Sequence, residues 1–220
     1  MIQLNPDESR VLGVLIEKAT TTPEQYPLSL NAIVNGANQK NNRDPVRSMS
    51  EDECFEATES LRARGLVTRV DQAGSRVPKF RQNAGEVLHA RTGEQAILAE
   101  LLLRGPQTIG ELRGRASRMA PMESLEVAQG LVNALISRPE PLIKEIPPSP
   151  GSRAVRFVQL MCADLHPLDA AAAASATITP QAGGSSLSDR VSQLESEVTS
   201  LKEELARLKT ALGESGNVGP

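Results

Sequence analysis

Residues 50–81 read SEDECFEATESLRARGLVTRVDQAGSRVPKFR, and this stretch decides the fold. Ser50-Glu51-Asp52-Glu53 has the form of a capping box, which satisfies free backbone amides at a helix start. Behind it Cys54 or Phe55, then Ala57, Thr58 and Leu61, recur at helical spacing, and Gly65 suits the left-handed position just past a helix end. Leu66-Val67-Thr68-Arg69-Val70 and Val77-Pro78-Lys79-Phe80-Arg81 are β-prone runs around a turn at Asp71 to Gly74, the pattern of a hairpin.

Upstream, Asn5-Pro6-Asp7-Glu8 reads as an N-cap, a proline at the first helical position and a glutamate three residues after the cap. Val11, Leu12, Leu15 and Ile16 follow at helical spacing until Thr20-Thr21-Thr22-Pro23 ends the helix. A second helix fits Ser29 to Ala37. Three helices and then a hairpin is the order of a winged helix.

The same order returns downstream. Thr92-Gly93-Glu94-Gln95 caps a helix carrying Ile97, Leu98, Leu101 and Leu102, and Gly105-Pro106 closes it. Thr108-Ile109-Gly110-Glu111 is another capping box. Leu125, Ala128, Leu131, Val132 and Leu135 form the buried stripe expected of a third helix. Residues 142–146 and 154–158 bracket a turn rich in Pro, Gly and Ser. The hairpins are offset by 76 to 77 residues (Leu66 to Leu142, Phe80 to Phe157), which argues for two copies of one unit. The fold expected is mainly α with small β-hairpins (α+β): winged helices over 1–84 and 85–167, a flexible linker over 168–186, a coiled-coil helix over 187–213 and a disordered tail over 214–220.

The coiled coil rests on Leu187, Val191, Leu194, Val198, Leu201, Leu205, Leu208 and Leu212, spaced alternately four and three residues apart. That is a heptad seam, with valine at two a positions and leucine at every d position, a combination that favours a parallel dimer. In a parallel pair Arg190 meets Glu195, Glu197 meets Lys202 and Glu204 meets Lys209, all opposite in sign. The sequence thus predicts a homodimer.

Composition narrows the function. No Trp is present, and Tyr26, Phe55, Phe80 and Phe157 are the only aromatics, so the core is aliphatic. Cys54 and Cys162, like His89 and His166, stand far apart, with no spacing that would hold a metal or build a disulfide framework. Glycine-rich phosphate loops and the nucleophile elbow are missing, and no cofactor is indicated. No run approaches the length of a membrane span, and the expected compartment is the cytoplasm. Residues 1–167 carry 20 Lys+Arg and 20 Asp+Glu, and the remainder supplies the whole net charge of −3. Bulk positive charge for nucleic acid is therefore absent, and any DNA contact must come from local clusters.

Several strings resemble the bacterial YceH family: Leu4-Asn5-Pro6 with residues 11–18 (VLGVLIEK), residues 22–29 (TPEQYPLS), the asparagine-rich residues 38–46 (NQKNNRDPV), and Gly105-Pro106-Gln107-Thr108 with Gly110-Glu111-Leu112-Arg113. The resemblance covers about residues 4–168. It implies two tandem winged helices, often followed by a coiled-coil tail, and little about activity.

Candidate binding residues are local. Lys40, Arg43 and Arg47 lie in the asparagine-rich loop, whose amide and cationic donors suit phosphate oxygens and whose Asn and Asp side chains equally suit turn closure. The first hairpin adds Arg69, Arg76, Lys79 and Arg81. The second repeat adds Arg113, Arg115 and Arg118. Against major-groove insertion of the third helix stand Glu51, Asp52, Glu53, Glu56 and Glu59, which phosphates would repel. Tyr26 is expected to pack a loop, His89 and His166 to be solvated, and Cys54 to be a small core residue. Two functions compete: a dimeric regulator of double-stranded DNA, and a protein-interaction scaffold that uses the winged helices for docking. A nucleophile–base–orienter set cannot be assembled, so an enzyme is not expected.

Overall fold

The structure is a computed structural model, and it describes residues 2–71, 77–163 and 165. The linker, the heptad seam from Leu187 to Leu212, the tail, Arg76 and His166 lie outside the described residues. Helix α1 (Pro6–Thr21) is followed by a single 3-10 turn (Pro23–Gln25), strand β1 (Leu28–Ser29), α2 (Leu30–Ala37), α3 (Glu51–Ala63), β2 (Val67–Val70) and β3 (Lys79–Gln82). After a short α4 (Ala84–Val87) come α5 (Thr92–Arg104), β4 (Gln107–Thr108), α6 (Ile109–Ala116), α7 (Leu125–Ile136), β5 (Ile143–Ile146) and β6 (Arg156–Gln159). The architecture is mixed helix and strand, with small antiparallel sheets.

The two halves are wired alike. Each has a three-stranded antiparallel sheet in which the last strand is central, ordered β1-β3-β2 and β4-β6-β5. The short outer strands β1 and β4 were not expected, because two residues are too few to show a period. Each simply runs into the N-cap of the next helix, Ser29 for α2 and Thr108 for α6.

Polar detail repeats as well. Asn5 accepts from the amides of Asp7 and Glu8, and Glu8 returns a carboxylate to the Asn5 amide at 2.8 Å. Glu8 also binds Arg64, the C-cap of α3, at 3.1 Å, and Arg64 donates to the Gln3 carbonyl. In the second half Glu94 binds Arg138 at 2.5 Å, and Arg138 donates to the His89 carbonyl at 3.2 Å. Gln3 to His89 and Glu8 to Glu94 are both steps of 86 residues, so one Glu–Arg staple ties the start of the first helix to the end of the third in each repeat.

Packing does not stop at the boundary between repeats. Helix α1 is buried along Glu8–Glu17, and α5 is buried at Glu94 and from Ala96 to Leu103; the two lie against each other in one continuous core. A helix with no solvent face belongs in the middle of a protein. The crossing is close: a Cβ at Gly13 would fall 2.9 Å from the Leu103 side chain. The chain start closes the other end of the core, with the Leu4 amide on the Met161 carbonyl at 2.6 Å.

One open choice is decided and two local expectations change. Cys54, not Phe55, enters the core; Phe55 is 47% exposed. Leu125 is likewise 47% exposed, because the α7 stripe begins at Ala128. The cap of α5 is Arg91 rather than Thr92. Among the described residues no helix is long and apolar enough to cross a membrane.

Candidate interaction surface

The asparagine-rich loop was the leading candidate for phosphate contact, but Asn38, Arg43 and Arg47 make contacts within the fold, while Lys40 is exposed. Asn38 bridges the loop ends, donating to the Met49 carbonyl and accepting from the Met49 amide, both at 2.7 Å. Arg43 is fully buried. It grips Glu17 of α1 at 2.6 Å and donates to the carbonyls of Gly36 and Asn42. Asn42, in a left-handed conformation at φ 63°, accepts from Arg104 of α5, and the Asp44 amide bonds the Leu103 carbonyl at 2.8 Å. Arg47 pairs with Asp7 at 2.5 Å.

Arg118, from the second repeat, reaches into the same cluster and binds both Glu17 (2.5 Å) and Glu100 (2.8 Å). Glu100 also lies 3.0 Å from Arg104. Burial alone would push the Glu17 carboxyl up, but the hydrogen bond and charge of Arg43, followed by Arg118, hold it below its ordinary value. Beside this cluster Arg10 is wholly buried, with the Pro45 carbonyl at 2.5 Å; desolvation, then the charges of Arg43 and Arg47, lower its pKa to about 10. The loop is a clasp between the repeats. Arg43, expected to contact phosphate, is therefore corrected to a structural residue, since a side chain with no exposed surface cannot meet DNA.

The other cations divide. Arg69 pairs with Asp71 at 3.0 Å. Arg113 closes the turn before α7 through the carbonyls of Met122 and Glu123, while Arg115 binds Gln107 at 2.7 Å and Glu111 at 3.3 Å. Lys40, Lys79 and Arg81 make no ion pair among the described residues. Tyr26 packs as expected: its hydroxyl accepts from the Gln82 amide at 2.6 Å, and burial pushes its pKa up to about 12.

What remains outward is the pair of third helices. They begin at equivalent serine caps, Ser50 and Ser124; α3 ends at its C-cap Arg64, and the equivalent Arg138 lies one residue past the C-cap Ser137 of α7. Helix α3 exposes Glu51, Asp52 and Glu56, none of them ion-paired among the described residues, around the exposed ring of Phe55. Glu53 is held in the capping box, and Glu59 takes Arg62 at 2.6 Å. Helix α7 contains no Lys or Arg. Its outer side presents Leu125, Val127, Gln129, Gly130 and Asn133, with an open groove of about 410 Å³ against Ile109 of α6. Sequence reading found the carboxylates of α3 but not the apolar exposures: Phe55 adjoins the buried Cys54, and Leu125, at stripe spacing, lies in the first turn of α7 ahead of the buried residues. Among the described residues no group of three His, Cys, Asp or Glu side chains is placed to hold a metal ion.

Comparison with known proteins gives a consistent family. The family described as "Protein of unknown function, DUF480" matches residues 4–178. A UPF0502 protein of Koribacter versatilis is 44% identical over 199 residues, covering 90% of each chain. A UPF0502 protein of Pelobacter propionicus is 44% identical over 209 residues, covering 94% of this chain and 93% of its own. One from Azoarcus is 42% identical over 208 residues, with 94% and 90% covered.

Proposed function

This chain belongs to the DUF480 family, shared with bacterial UPF0502 proteins, and from that premise we propose that it is a non-enzymatic protein-docking scaffold built from two tandem winged helices. The repeated order of helix, strand, two helices and a hairpin supports the winged-helix reading. So do the strings that resemble the YceH family.

One observation carries the docking reading: neither third helix offers an unpaired cation. A winged helix that reads DNA lays this helix in the major groove between two rows of phosphates. Here α3 would bring Glu51, Asp52 and Glu56 to those phosphates, and α7 would bring apolar and amide groups with the single charge of Glu126. Of the basic residues that would have offset this, Arg43, Arg47, Arg69, Arg113 and Arg115 are held by Glu17, Asp7, Asp71, backbone carbonyls and Glu111. An exposed aromatic ring on one repeat and an exposed Leu–Val pair on the other suit protein surfaces, where such groups act as anchors. In this reading the heptad seam from Leu187 to Leu212 pairs two chains in parallel and so doubles the number of docking faces.

DNA contact is the second reading, favoured by the exposed Lys40 and Arg81 together with Lys79, none of them ion-paired among the described residues. It would be a sequence-independent phosphate contact, and each lost contact would flatten the log–log salt dependence by about 0.9.

A photo-crosslinking residue placed at position 55 or 125 in growing cells tests the choice. Adducts that resist nuclease and yield to protease are expected, with no shift of duplex DNA at low salt. Nuclease-sensitive adducts, or duplex binding that is weakened when Lys40, Lys79 and Arg81 are all changed to Ala, would overturn the docking reading.

A further inference from the structure

A cavity of about 540 Å³ opens where the start of α5 meets the end of α7, beyond the groove that begins at Leu125. Its volume lies in the range of small-molecule sites. Its floor is apolar and comes from three separate stretches: Ile2, the neighbours Val87 and Leu88, and Leu142. Leu88 and Leu142 belong to the buried core.

The polar groups at the rim are unequal. Glu94 and Arg138 form a closed pair at 2.5 Å, and Arg138 donates in addition to the carbonyls of Leu88 (2.5 Å) and His89 (3.2 Å). That pair contributes no net charge. The remaining titratable groups are Arg91, His89 and Glu140. Arg91 is exposed and makes no ion pair among the described residues.

Position 91 is the N-cap of α5, equivalent to Asn5 in the first repeat. Asn5 accepts from two amides of α1; arginine has no acceptor to offer. A cation at the amino end of a helix also opposes the helix dipole. Arg91 is thus poorly suited to capping and well placed for an anion lying over the cavity. With the Glu94–Arg138 pair closed, Arg91 offers a single cationic group, which suits a single carboxylate.

We propose that this cavity binds a small amphipathic monocarboxylate. Its apolar body lies against Ile2, Val87, Leu88 and Leu142, and its carboxylate meets Arg91. The site is independent of the docking faces, so it stands or falls separately from the proposed function.

Titration of the full chain with octanoate and with 1-octanol, followed by methyl NMR of Ile, Leu and Val, tests it. Octanoate is expected to shift the methyl signals of Ile2, Val87, Leu88 and Leu142, and octanol to bind about tenfold more weakly, a 1.4 kcal/mol difference. Arg91→Gln removes that difference. Ala134→Phe, at an exposed position on the cavity wall, blocks both ligands. Equal binding of the acid and the alcohol by the unmodified protein overturns the carboxylate assignment. Unshifted cavity methyls at millimolar octanoate, or octanoate binding unchanged in Ala134→Phe, overturn the site. Should Ala134→Phe disturb α7, the Arg91→Gln comparison decides alone.

Discussion

Changing Glu17 to Gln tests the clasp most directly. Glu17 is buried and receives Arg43 at 2.6 Å and Arg118 at 2.5 Å. The Arg43 side chain has 0% exposure, and Glu17 is its only ion-pair partner among the described residues. Gln keeps the shape of Glu and leaves a buried cation without its counter-charge. Removing one partner of a buried pair costs about 3–5 kcal/mol. Arg43 keeps the Gly36 and Asn42 carbonyls, which places the expectation at the lower end, about 3 kcal/mol. For a domain of this size that lowers Tm by roughly 6–12 °C.

The internal control is Arg118→Ala. Glu17 then retains Arg43, Glu100 retains Arg104, and Arg118 is itself 33% exposed, so about 1–2 kcal/mol is expected. Calorimetry of the full chain near neutral pH, checked by denaturant midpoints, measures both. If Glu17→Gln costs less than Arg118→Ala, or less than about 1 kcal/mol, the clasp does not hold the repeats as described. The pH dependence follows from the direction of the Glu17 shift. Its folded carboxyl is held below the unfolded value, so its contribution is complete above about pH 4.3 and is lost as pH falls through the folded value. The stability gap between the parent and Glu17→Gln therefore narrows on acidification.

Three further outcomes are expected. Gly13→Val, which drives a side chain into Leu103 and Leu102 at the α1–α5 crossing, costs about 1–3 kcal/mol by calorimetry; an unchanged Tm would mean the helices do not cross there. Arg138→Ala leaves Glu94 buried without its cation and frees two carbonyls, so a loss of about 3 kcal/mol is expected; a loss under about 1 kcal/mol would deny the staple its role. Cys54, whose thiol is pushed up to about 11 by burial and then by Asp7 and Glu53, stays unmodified by a thiol reagent at pH 8 until urea unfolds the chain, and prompt labelling of the native protein would contradict its burial.

Local chemistry was legible wherever one residue does one job. The caps at Asn5, Ser50 and Thr108 and the left-handed Gly65 lie where the letters place them. The hairpins do too, since alternation and turn residues are short-range signals. The loop of residues 38–49 was not legible, for a physical reason. Asn, Arg and Asp at the same spacing serve a phosphate surface and a folded turn alike, and the partners that decide between them are remote: Glu17, Leu103 and Arg104. Arg91 shows the reverse case. Thr92 reads as the better cap, yet the helix begins one residue earlier because Glu94 bonds back to the amide of Arg91. Between the adjacent Cys54 and Phe55 only packing selects the one that enters the core, and Leu125 was misplaced because periodicity does not show that the first turn of a helix lies beyond the core.

The sandwiching of α1 bears on how the protein is made. Ribosomal synthesis releases Glu8 and its neighbours 86 residues before Glu94, and at about 5–20 residues per second that interval is on the order of 4–17 s. Throughout it, the side of α1 destined for α5 faces water or a chaperone. The nascent polypeptide thus carries a greasy helix flank that its own translated portion cannot yet cover, and completion of the fold waits on the arrival of the second repeat.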